Sequence, residues 1–290
     1  MKVKANYKIP FIFRAIRWAF PKVEKLSPWL AGKWAAKLFF TPVRFPVPLE
    51  EAIIQEKAEK FSLTVEGKRV ACYSYGKGKP VIMVHGWSGR GAQFRKFIER
   101  FVDQGLQVIT FDAPAHGNSS GSITSVIEFA DVIRQLDDRY KPNLIIGHSL
   151  GGVACLLAAQ NGLLHAHQIV MISSPSIAED VVKEFLKKIN GTRKSARGIT
   201  DHIYRKSGKS FVEFLSLHLI RQISNMDIKI IHDEEDREVP LYHAEALVEA
   251  YPLAKLVKTR GLGHTRILKD SKVVEECFQY ALSGNRLQEV

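Results

Sequence analysis

Residues 147–151 read Gly-His-Ser-Leu-Gly and stand at the carboxyl end of an apolar run. A hydroxyl has no packing value at the end of a buried strand, and the flanking glycines indicate a sharp turn. Because a helical pattern begins immediately afterwards, Ser149 would lie at a strand-to-helix turn with its hydroxyl exposed, as nucleophilic serines do. The amino terminus of that helix would favour negative charge near the hydroxyl. The pattern therefore predicts that Ser149 is a nucleophile.

A serine hydroxyl is a poor nucleophile until a base accepts its proton, and two later segments offer the partners. Acidic residues cluster at 233–238 after one predicted strand, and His264 stands in the loop Gly-Leu-Gly-His after the next. Serine, acid and histidine follow one another in the order found in enzymes with this turn. His264 would accept the proton of Ser149, and the acid would hold the imidazole tautomer. We expect His148, next to the serine, to be a structural neighbour.

These segments resemble the α/β-hydrolase superfamily, and the resemblance covers roughly residues 60–285. In that superfamily the acid stands in a segment similar to His-Gly-x-x-Asp-x-x-Val-Pro. Residues 232–240 read His-Asp-Glu-Glu-Asp-Arg-Glu-Val-Pro, so the resemblance assigns the acid to Asp236. Asp233 occupies the place of the usual glycine, and it remains an alternative together with the two glutamates that follow it.

The resemblance also implies an oxyanion hole made of two backbone N–H groups. One belongs to Leu150, the residue after the serine, and the other to Trp87 in the sequence His-Gly-Trp-Ser-Gly, which is similar to the superfamily's His-Gly-x-x-Gly turn. Residues 111–121 resemble a further segment that is mainly structural in the superfamily. We therefore expect Asp112 and His116 to have no catalytic role.

The elements that must position these residues are short apolar runs, each followed by a helical pattern. Such alternation predicts a mostly parallel sheet with helices on both faces, the α/β-hydrolase fold that the resemblance implies. Ligands bind beyond the carboxyl ends of the strands in such a sheet. A β-hairpin at 61–76 precedes the runs, which lie at 81–84, 107–111, 143–147, 168–173, 228–232 and 254–259.

The interval at about 176–225 is too long for an ordinary connection and predicts a helical insertion. Helical periodicity at 181–189 and 210–223 predicts two helices, with glycines, Gly198 among them, as punctuation between them. In a lid, the apolar side chains of Phe211 and Phe214 would bind an acyl or aromatic substrate. The alternative is that these side chains only dock the helices of the insertion.

Positive charge is concentrated in two segments of a chain whose formal net charge is +12. Residues 1–48 carry ten Lys and Arg against one acid, and residues 176–225 carry ten against five. We divide the sequence into a basic, aromatic arm at 1–48 and a hydrolase domain at 49–290 that contains the insertion. The charge alone indicates no nucleic-acid partner, because no recognition motif accompanies it.

The arm contains one clear helix signal, with Ser27 as N-cap and Pro28 at the first helical position. Leu30, Trp34 and Leu38 follow at a spacing of four, which predicts an apolar stripe. Two alternatives stay open for the arm. Its tryptophans and lysines could lie on an anionic membrane surface without crossing it, or its stripe could pack on the hydrolase body.

The sequence indicates neither a cofactor nor a metal ion. Three widely spaced cysteines fit no disulfide framework or zinc site, and the pair His165 and His167 is interpreted as surface side chains. Arg14 and Arg17 interrupt the first apolar stretch, which argues against a signal peptide. We expect a cytoplasmic protein, peripheral at the inner face of the membrane if the arm binds lipid.

A serine nucleophile favours acyl transfer to water. The leading prediction is a carboxylic-ester hydrolase acting on a small, apolar acyl or aromatic substrate through an acyl-enzyme. Thioesters, amides and carbon–carbon bonds are alternatives, because the same residues can cleave them. A binding protein of this fold without catalytic activity is the contrasting class.

Overall fold

The structure is a computed structural model, and it describes residues 11–160, 162 and 164–283. The chain forms two compact units. The described parts of Met1–Phe40 and Ala178–Phe211 make up a helical unit, and those of Thr41–Ile177 and Val212–Val290 make up a sheet unit. The α-helices are α1 (Phe11–Leu26), α2 (Pro28–Phe39), α3 (Leu49–Glu56), α4 (Arg95–Val102), α5 (Val126–Tyr140), α6 (Leu150–Ala159), α7 (Ala178–Lys188), α8 (Arg193–Ser207), α9 (Ser216–Leu219), α10 (Tyr242–Ala250), α11 (Gly263–Arg266) and α12 (Ser271–Ser283).

The sheet unit is built on eight strands in the order β1-β2-β4-β3-β5-β6-β7-β8. The six strands from β3 to β8 are parallel to their neighbours among themselves, and β1 and β2 pair antiparallel. The α/β class and the six predicted runs are thus confirmed. The strands are β1 (Glu59–Val65), β2 (Lys68–Tyr75), β3 (Pro80–Val84), β4 (Gln107–Asp112), β5 (Leu144–His148), β6 (Gln168–Ile172), β7 (Asp227–Asp233) and β8 (Lys255–Thr259).

The predicted β-hairpin is confirmed as β1 and β2. Val65 pairs with Lys68 across a two-residue turn, in which Glu66 and Gly67 have φ values of 45° and 73°. Positive φ at both central positions produces the backbone twist that matches the flanking strands. The three cysteines are buried, and none of them forms a disulfide.

The helical unit contains α1 and α2 from the arm and α7 and α8 from the insertion. Helix α2 starts as predicted, because the hydroxyl of Ser27 accepts a hydrogen bond from the N–H of Leu30 at 3.3 Å. The predicted apolar stripe is wrong, however: Leu30 is 51% exposed, and small residues line the buried face instead. Backbones of α2 and α8 approach so closely that a Cβ at Gly198 would lie 2.1 Å from the carbonyl oxygen of Gly32. Large side chains cannot fit there.

Two expectations about the helices of the insertion are wrong. Gly198 does not punctuate two helices, because it lies inside α8, where the missing side chain permits the close approach. The predicted helix at 210–223 is instead a 3-10 turn at Phe211–Phe214, the short α9 and another 3-10 turn at Ile220–Gln222. Leu215 adopts an extended conformation between the first two, which allows the N–H of Leu217 to bond to the carbonyl oxygen of Ser176.

No helix in the described part of the chain is long and apolar enough to cross a bilayer.

Candidate active site

The turn between β5 and α6 holds Ser149 in a backbone conformation that side chains rarely adopt. Its φ is +52° and its ψ is −120°, and its N–H donates to the carbonyl oxygen of Ile172 at 2.8 Å. A Cβ at Gly147 would lie 2.5 Å from the backbone nitrogen of Gly152, so the sharp turn that the sequence predicts requires glycine at this position. A Cβ at Gly151 would instead lie 2.2 Å from the carbonyl oxygen of Val84, so this glycine is required by the neighbouring strand.

Three predicted site residues meet at the carboxyl ends of the strands. His264, in α11, has its Nε2 3.1 Å from the Oγ of Ser149 and its Nδ1 2.8 Å from the Oδ2 of Asp236. Ser149 and His264 are half-buried, whereas Asp236 is buried. With Nδ1–H donating to the carboxylate, the lone pair of Nε2 faces the serine hydroxyl, and the structure brings the three groups together in one hydrogen-bonded series.

Asp236 is held by the loop that follows β7. Its Oδ1 accepts hydrogen bonds from the N–H groups of Glu238 at 2.9 Å and Val239 at 3.0 Å. Burial by itself would raise the pKa of Asp236, but the hydrogen bond from His264 and those two N–H groups outweigh it and hold the pKa below its ordinary value. The carboxylate is therefore charged and aligned at neutral pH.

Asp233, the alternative acid, has a different set of partners. Its Oδ1 accepts from the N–H groups of Glu235 and Gly263, and its Oδ2 accepts from the hydroxyl of Thr259 and the N–H of Leu262. Burial opposes the charge, but these four hydrogen bonds hold the pKa of Asp233 below its ordinary value. Asp233 thus connects the end of β7 to the loop that carries the histidine. Its position at the end of a strand was the only sequence signal of this role.

The loop after β3 lies against the nucleophile. A Cβ at Gly86 would lie 2.9 Å from the Cβ of Ser149, so only glycine permits this approach. The neighbouring N–H of Ser88 donates to the Nε2 of His116 at 2.9 Å, which fixes the loop next to Trp87. Burial, together with the nearby His85 ring, lowers the pKa of His116 to about 3, so the ring is neutral and can accept this bond.

Leu150 is the first residue of α6, and the first N–H groups of a helix have no partner within the helix. The N–H of Leu150 and the loop that carries Trp87 therefore flank the serine, as the resemblance implies. His85 supports the same loop, because its Nε2 accepts from the N–H of Ala113 at 2.9 Å. Gly86 brings this loop against Ser149, and the role of the N–H groups of Trp87 and Leu150 remains a prediction.

His148 has a connection that sequence reasoning missed. Its ring is buried, and its Nε2 lies 2.8 Å from the backbone carbonyl oxygen of His264. A carbonyl oxygen only accepts, so Nε2 carries the proton. Burial and the adjacent His264 lower the pKa of His148 to about 3, which keeps the ring neutral. His148 therefore links the serine turn to the backbone of the histidine, and its position next to the serine was the only sequence signal.

Other candidate residues lie in different surroundings. Phe211 and Phe214 are buried, and the Phe211 ring contacts Phe39 edge to face at 5.9 Å in the helical unit. Their role in selecting a substrate stays a prediction. His165 and His167 are exposed, as expected.

Within the described residues, one group of side chains could share a metal ion, and it consists of Asp137, Asp138 and His165. Asp137 already accepts hydrogen bonds from the N–H groups of His165 and Ala166 and contacts the His165 ring. These bonds account for the carboxylate structurally, so we assign no ion to this group.

Comparisons with known proteins agree with this architecture. Residues 79–219 match a family model described as the alpha/beta hydrolase fold. A pimeloyl-(acyl-carrier protein) methyl ester esterase from Stenotrophomonas maltophilia is 31% identical over 84 residues, which are 29% of this chain and 32% of that protein. A non-heme chloroperoxidase from Kitasatospora aureofaciens is 28% identical over 95 residues, which are 31% of this chain and 34% of that protein. The chain thus matches about a third of the length of these relatives.

Solved structures resemble the chain over a larger share. An esterase from Exiguobacterium antarcticum has a TM-score of 0.58 at 19% identity and covers 75% of this chain and 97% of its own. A thioesterase domain from the curacin biosynthetic pathway has a TM-score of 0.58 at 15% identity. The match covers 78% of this chain and 99% of that domain. Sheet order, the family model over residues 79–219 and the solved structures agree that this chain has the α/β-hydrolase fold.

Proposed function

We propose that this protein is a serine hydrolase that cleaves carboxylic esters through an acyl-enzyme. The observation that carries the proposal is the hydrogen-bonded series from Asp236 through His264 to Ser149, with the serine on a strained turn. A buried carboxylate, an imidazole and a hydroxyl in this arrangement have one common chemical use, which is activation of the hydroxyl as a nucleophile.

In the first half of the reaction, the Oγ of Ser149 attacks the carbonyl carbon of the ester while Nε2 of His264 takes the hydroxyl proton. The tetrahedral intermediate then expels the alkoxide, which leaves as an alcohol after receiving that proton from Nε2. Asp236 stabilises the imidazolium between these two transfers and remains ionised throughout. Water repeats the sequence on the acyl-enzyme, releasing the carboxylic acid and restoring the serine.

Negative charge on the carbonyl oxygen must be stabilised in both halves. We assign this role to the N–H groups of Leu150 and Trp87. Each of them would lower the activation free energy by about 3–4 kcal/mol. Support comes from the approach of Gly86 to Ser149 and from the position of Leu150 at the start of α6. Because both donors are backbone groups, no side-chain substitution removes them directly.

Ester cleavage is favoured by the resemblance to proteins named as esterases, one of which acts on a methyl ester according to its name. A thioesterase domain shares the fold, so thioesters form the second class to examine. The attacked carbonyl is chemically similar in both, and the leaving group distinguishes them.

The test combines a covalent probe with a panel of substrates. A fluorophosphonate should label the wild-type protein at Ser149, and Ser149→Ala should abolish the labelling, whereas the matched control Ser122→Ala, at an exposed serine, should leave it intact. Hydrolysis of nitrophenyl esters of increasing acyl length, compared with thioesters and anilides of the same acids, assigns the bond class. Unchanged labelling of Ser149→Ala, or hydrolysis by that variant above a few per cent of wild type, would contradict the mechanism. Labelling without turnover of any substrate class would favour a binding protein.

A further inference from the structure

The two units differ sharply in charge. Residues 1–40 and 178–211, whose described parts form the helical unit, contain 18 Lys and Arg against five Asp and Glu, a net charge of +13. The remaining 216 residues contain 24 against 25, a net charge of −1. The net positive charge of the protein is therefore carried by these two sequence segments. A localised charge of this size favours association with an anionic surface.

One side of the arm is occupied by packing within the helical unit. Phe20 is fully buried against Trp34, and the small residues of α2 pack on α8. The buried carboxylate of Glu24 accepts hydrogen bonds from the N–H of Thr192 and the hydroxyl of Ser195 at the start of α8. These contacts fix α1 and α2 on the insertion helices and determine which side chains remain outside.

The opposite side exposes large apolar side chains next to lysines. Exposed fractions are 68% for Trp18, 86% for Leu26, 66% for Trp29 and 51% for Leu30. We define the outer face of the arm by the exposed residues Trp18, Lys22, Leu26, Trp29, Leu30 and Lys33. Each ammonium lies over an indole ring, with Nζ of Lys22 3.3 Å from the Trp18 ring centre and Nζ of Lys33 3.6 Å from that of Trp29. Paired indoles and ammonium groups are typical of a membrane–water interface.

An open groove beside this face adds guanidinium groups. Arg14, Arg17 and Trp18 line it together with Asn190, whose side-chain oxygen accepts a hydrogen bond from Arg17. Both arginines are exposed, and guanidinium groups bind phosphate oxygens by charge-assisted hydrogen bonds. The groove is thus suited to the phosphodiester of a lipid headgroup.

We propose that the outer face of the arm binds the surface of an anionic lipid bilayer. Trp18, Leu26, Trp29 and Leu30 enter the headgroup region, while the lysines and arginines remain among the phosphates. A lipid surface fits better than nucleic acid, because the exposed side chains of Leu26 and Leu30 would bury apolar area in a bilayer but not against a phosphate backbone. The proposal is independent of the hydrolase activity, since it uses no residue of the candidate active site.

Sedimentation of the full-length protein with vesicles tests this proposal. Binding is expected to vesicles of phosphatidylcholine mixed with phosphatidylglycerol, and not to phosphatidylcholine alone. Trp18→Ser with Trp29→Ser should weaken binding by about tenfold or more, because apolar burial in the interface is lost. The matched control replaces Leu49 and Leu253, equally exposed residues of the sheet unit, by serine and should bind as wild type does.

Lysine substitutions test the electrostatic contribution to vesicle binding. Lys22→Gln with Lys33→Gln should weaken binding about fivefold for each charge removed, whereas the control pair Lys60→Gln with Lys96→Gln should have no effect. Raising NaCl from about 0.1 M to about 1 M should release the protein, because the Debye length falls from about 10 Å to about 3 Å. Circular dichroism and thermal unfolding verify that each variant is folded.

Two results would overturn the proposal. One is equal sedimentation of the tryptophan variant and its leucine control, which would assign the outer face no part in binding. The other is tight binding of the wild type to a DNA duplex without any binding to the mixed vesicles, which would identify nucleic acid as the anionic partner. Quenching of tryptophan fluorescence by brominated lipid, reduced in the Trp18 and Trp29 variant, would support insertion of the indoles.

Discussion

Asp236 and Asp233 lie three residues apart, yet the structure predicts opposite consequences for their replacement by asparagine. Asp236 contacts the ring of His264 at 2.8 Å, whereas Asp233 bonds only to the backbone and the hydroxyl around it. Both substitutions remove one charge and preserve side-chain shape. The pair therefore separates a role in catalysis from a role in holding the loop.

In Asp236→Asn, the amide oxygen can still accept the N–H groups of Glu238 and Val239, which turns the NH₂ group towards Nδ1 of His264. The ring must then present a lone pair at Nδ1 and carry its proton on Nε2, which faces the Oγ of Ser149 at 3.1 Å. In that tautomer Nε2 cannot accept the serine proton. We expect kcat to fall by about 10⁴-fold, as for the corresponding change in a serine protease. Because every hydrogen bond retains a partner, the free energy of unfolding should change little.

In Asp233→Asn, one or two of the four donors lose their acceptor, depending on how the amide is oriented. If NH₂ takes the place of Oδ2, the Thr259 hydroxyl can accept from it and only the N–H of Leu262 is left unpaired. If NH₂ takes the place of Oδ1, the N–H groups of both Glu235 and Gly263 are left unpaired. A buried donor without a partner costs about 1–3 kcal/mol. We expect this loss in the free energy of unfolding, with a smaller fall in kcat than in Asp236→Asn.

The assay measures kcat and KM on the best ester of the panel, with the active fraction titrated by fluorophosphonate, and unfolding by urea at neutral pH. The reasoning predicts that activity falls further in Asp236→Asn and stability falls further in Asp233→Asn. If Asp233→Asn lost as much kcat as Asp236→Asn while remaining fully folded, the assignment of Asp236 as the acid would be refuted. Loss of stability without loss of activity in Asp236→Asn would refute the tautomer argument.

Three further predictions concern residues around the site. His148→Ala removes the donor to the carbonyl of the base and should lower kcat by about tenfold to a hundredfold with KM unchanged, and His148→Gln should restore most of it. Gly151→Ala places a methyl group against the carbonyl of Val84 and should destabilise the fold by about 1–3 kcal/mol or more in urea unfolding. Folded-state pKa values of about 4 for His85 and about 3 for His116 and His148 lie below the unfolded value of about 6.5. The unfolded state therefore binds protons first as pH falls, and stability should decline below about pH 6.5 by up to about 4 kcal/mol per pH unit until these pKa values are reached, as urea unfolding across pH would show.

The local sequence determined the sheet and the serine turn. Six short apolar runs between helical patterns predict the strands of a parallel sheet, and the structure has them within one or two residues. Five of them are buried, whereas β8 is an edge strand with no fully buried residue. The turn at Ser149 was predictable because Gly147 avoids a collision with the backbone of Gly152, only five residues later in the chain. Gly151, by contrast, is required by the distant strand β3. The acid and the histidine that follow the serine in the chain were each predicted to stand at the carboxyl end of a later strand. A parallel sheet places these ends on one edge, beside the serine.

Tertiary structure decided the rest, because the deciding contacts join residues far apart in the chain. Small residues of α2 form its buried face because Gly32 contacts Gly198, while Trp29 and Leu30 are exposed. No periodicity within α2 carries that information. Asp236 and Asp233 carry the same carboxylate side chain, so residue type does not distinguish them. Only the fold of the following loops turns Asp236 towards His264 and Asp233 towards backbone N–H groups. Hydrophobic periodicity identifies which residues can be buried, whereas packing against a distant partner determines which of them are.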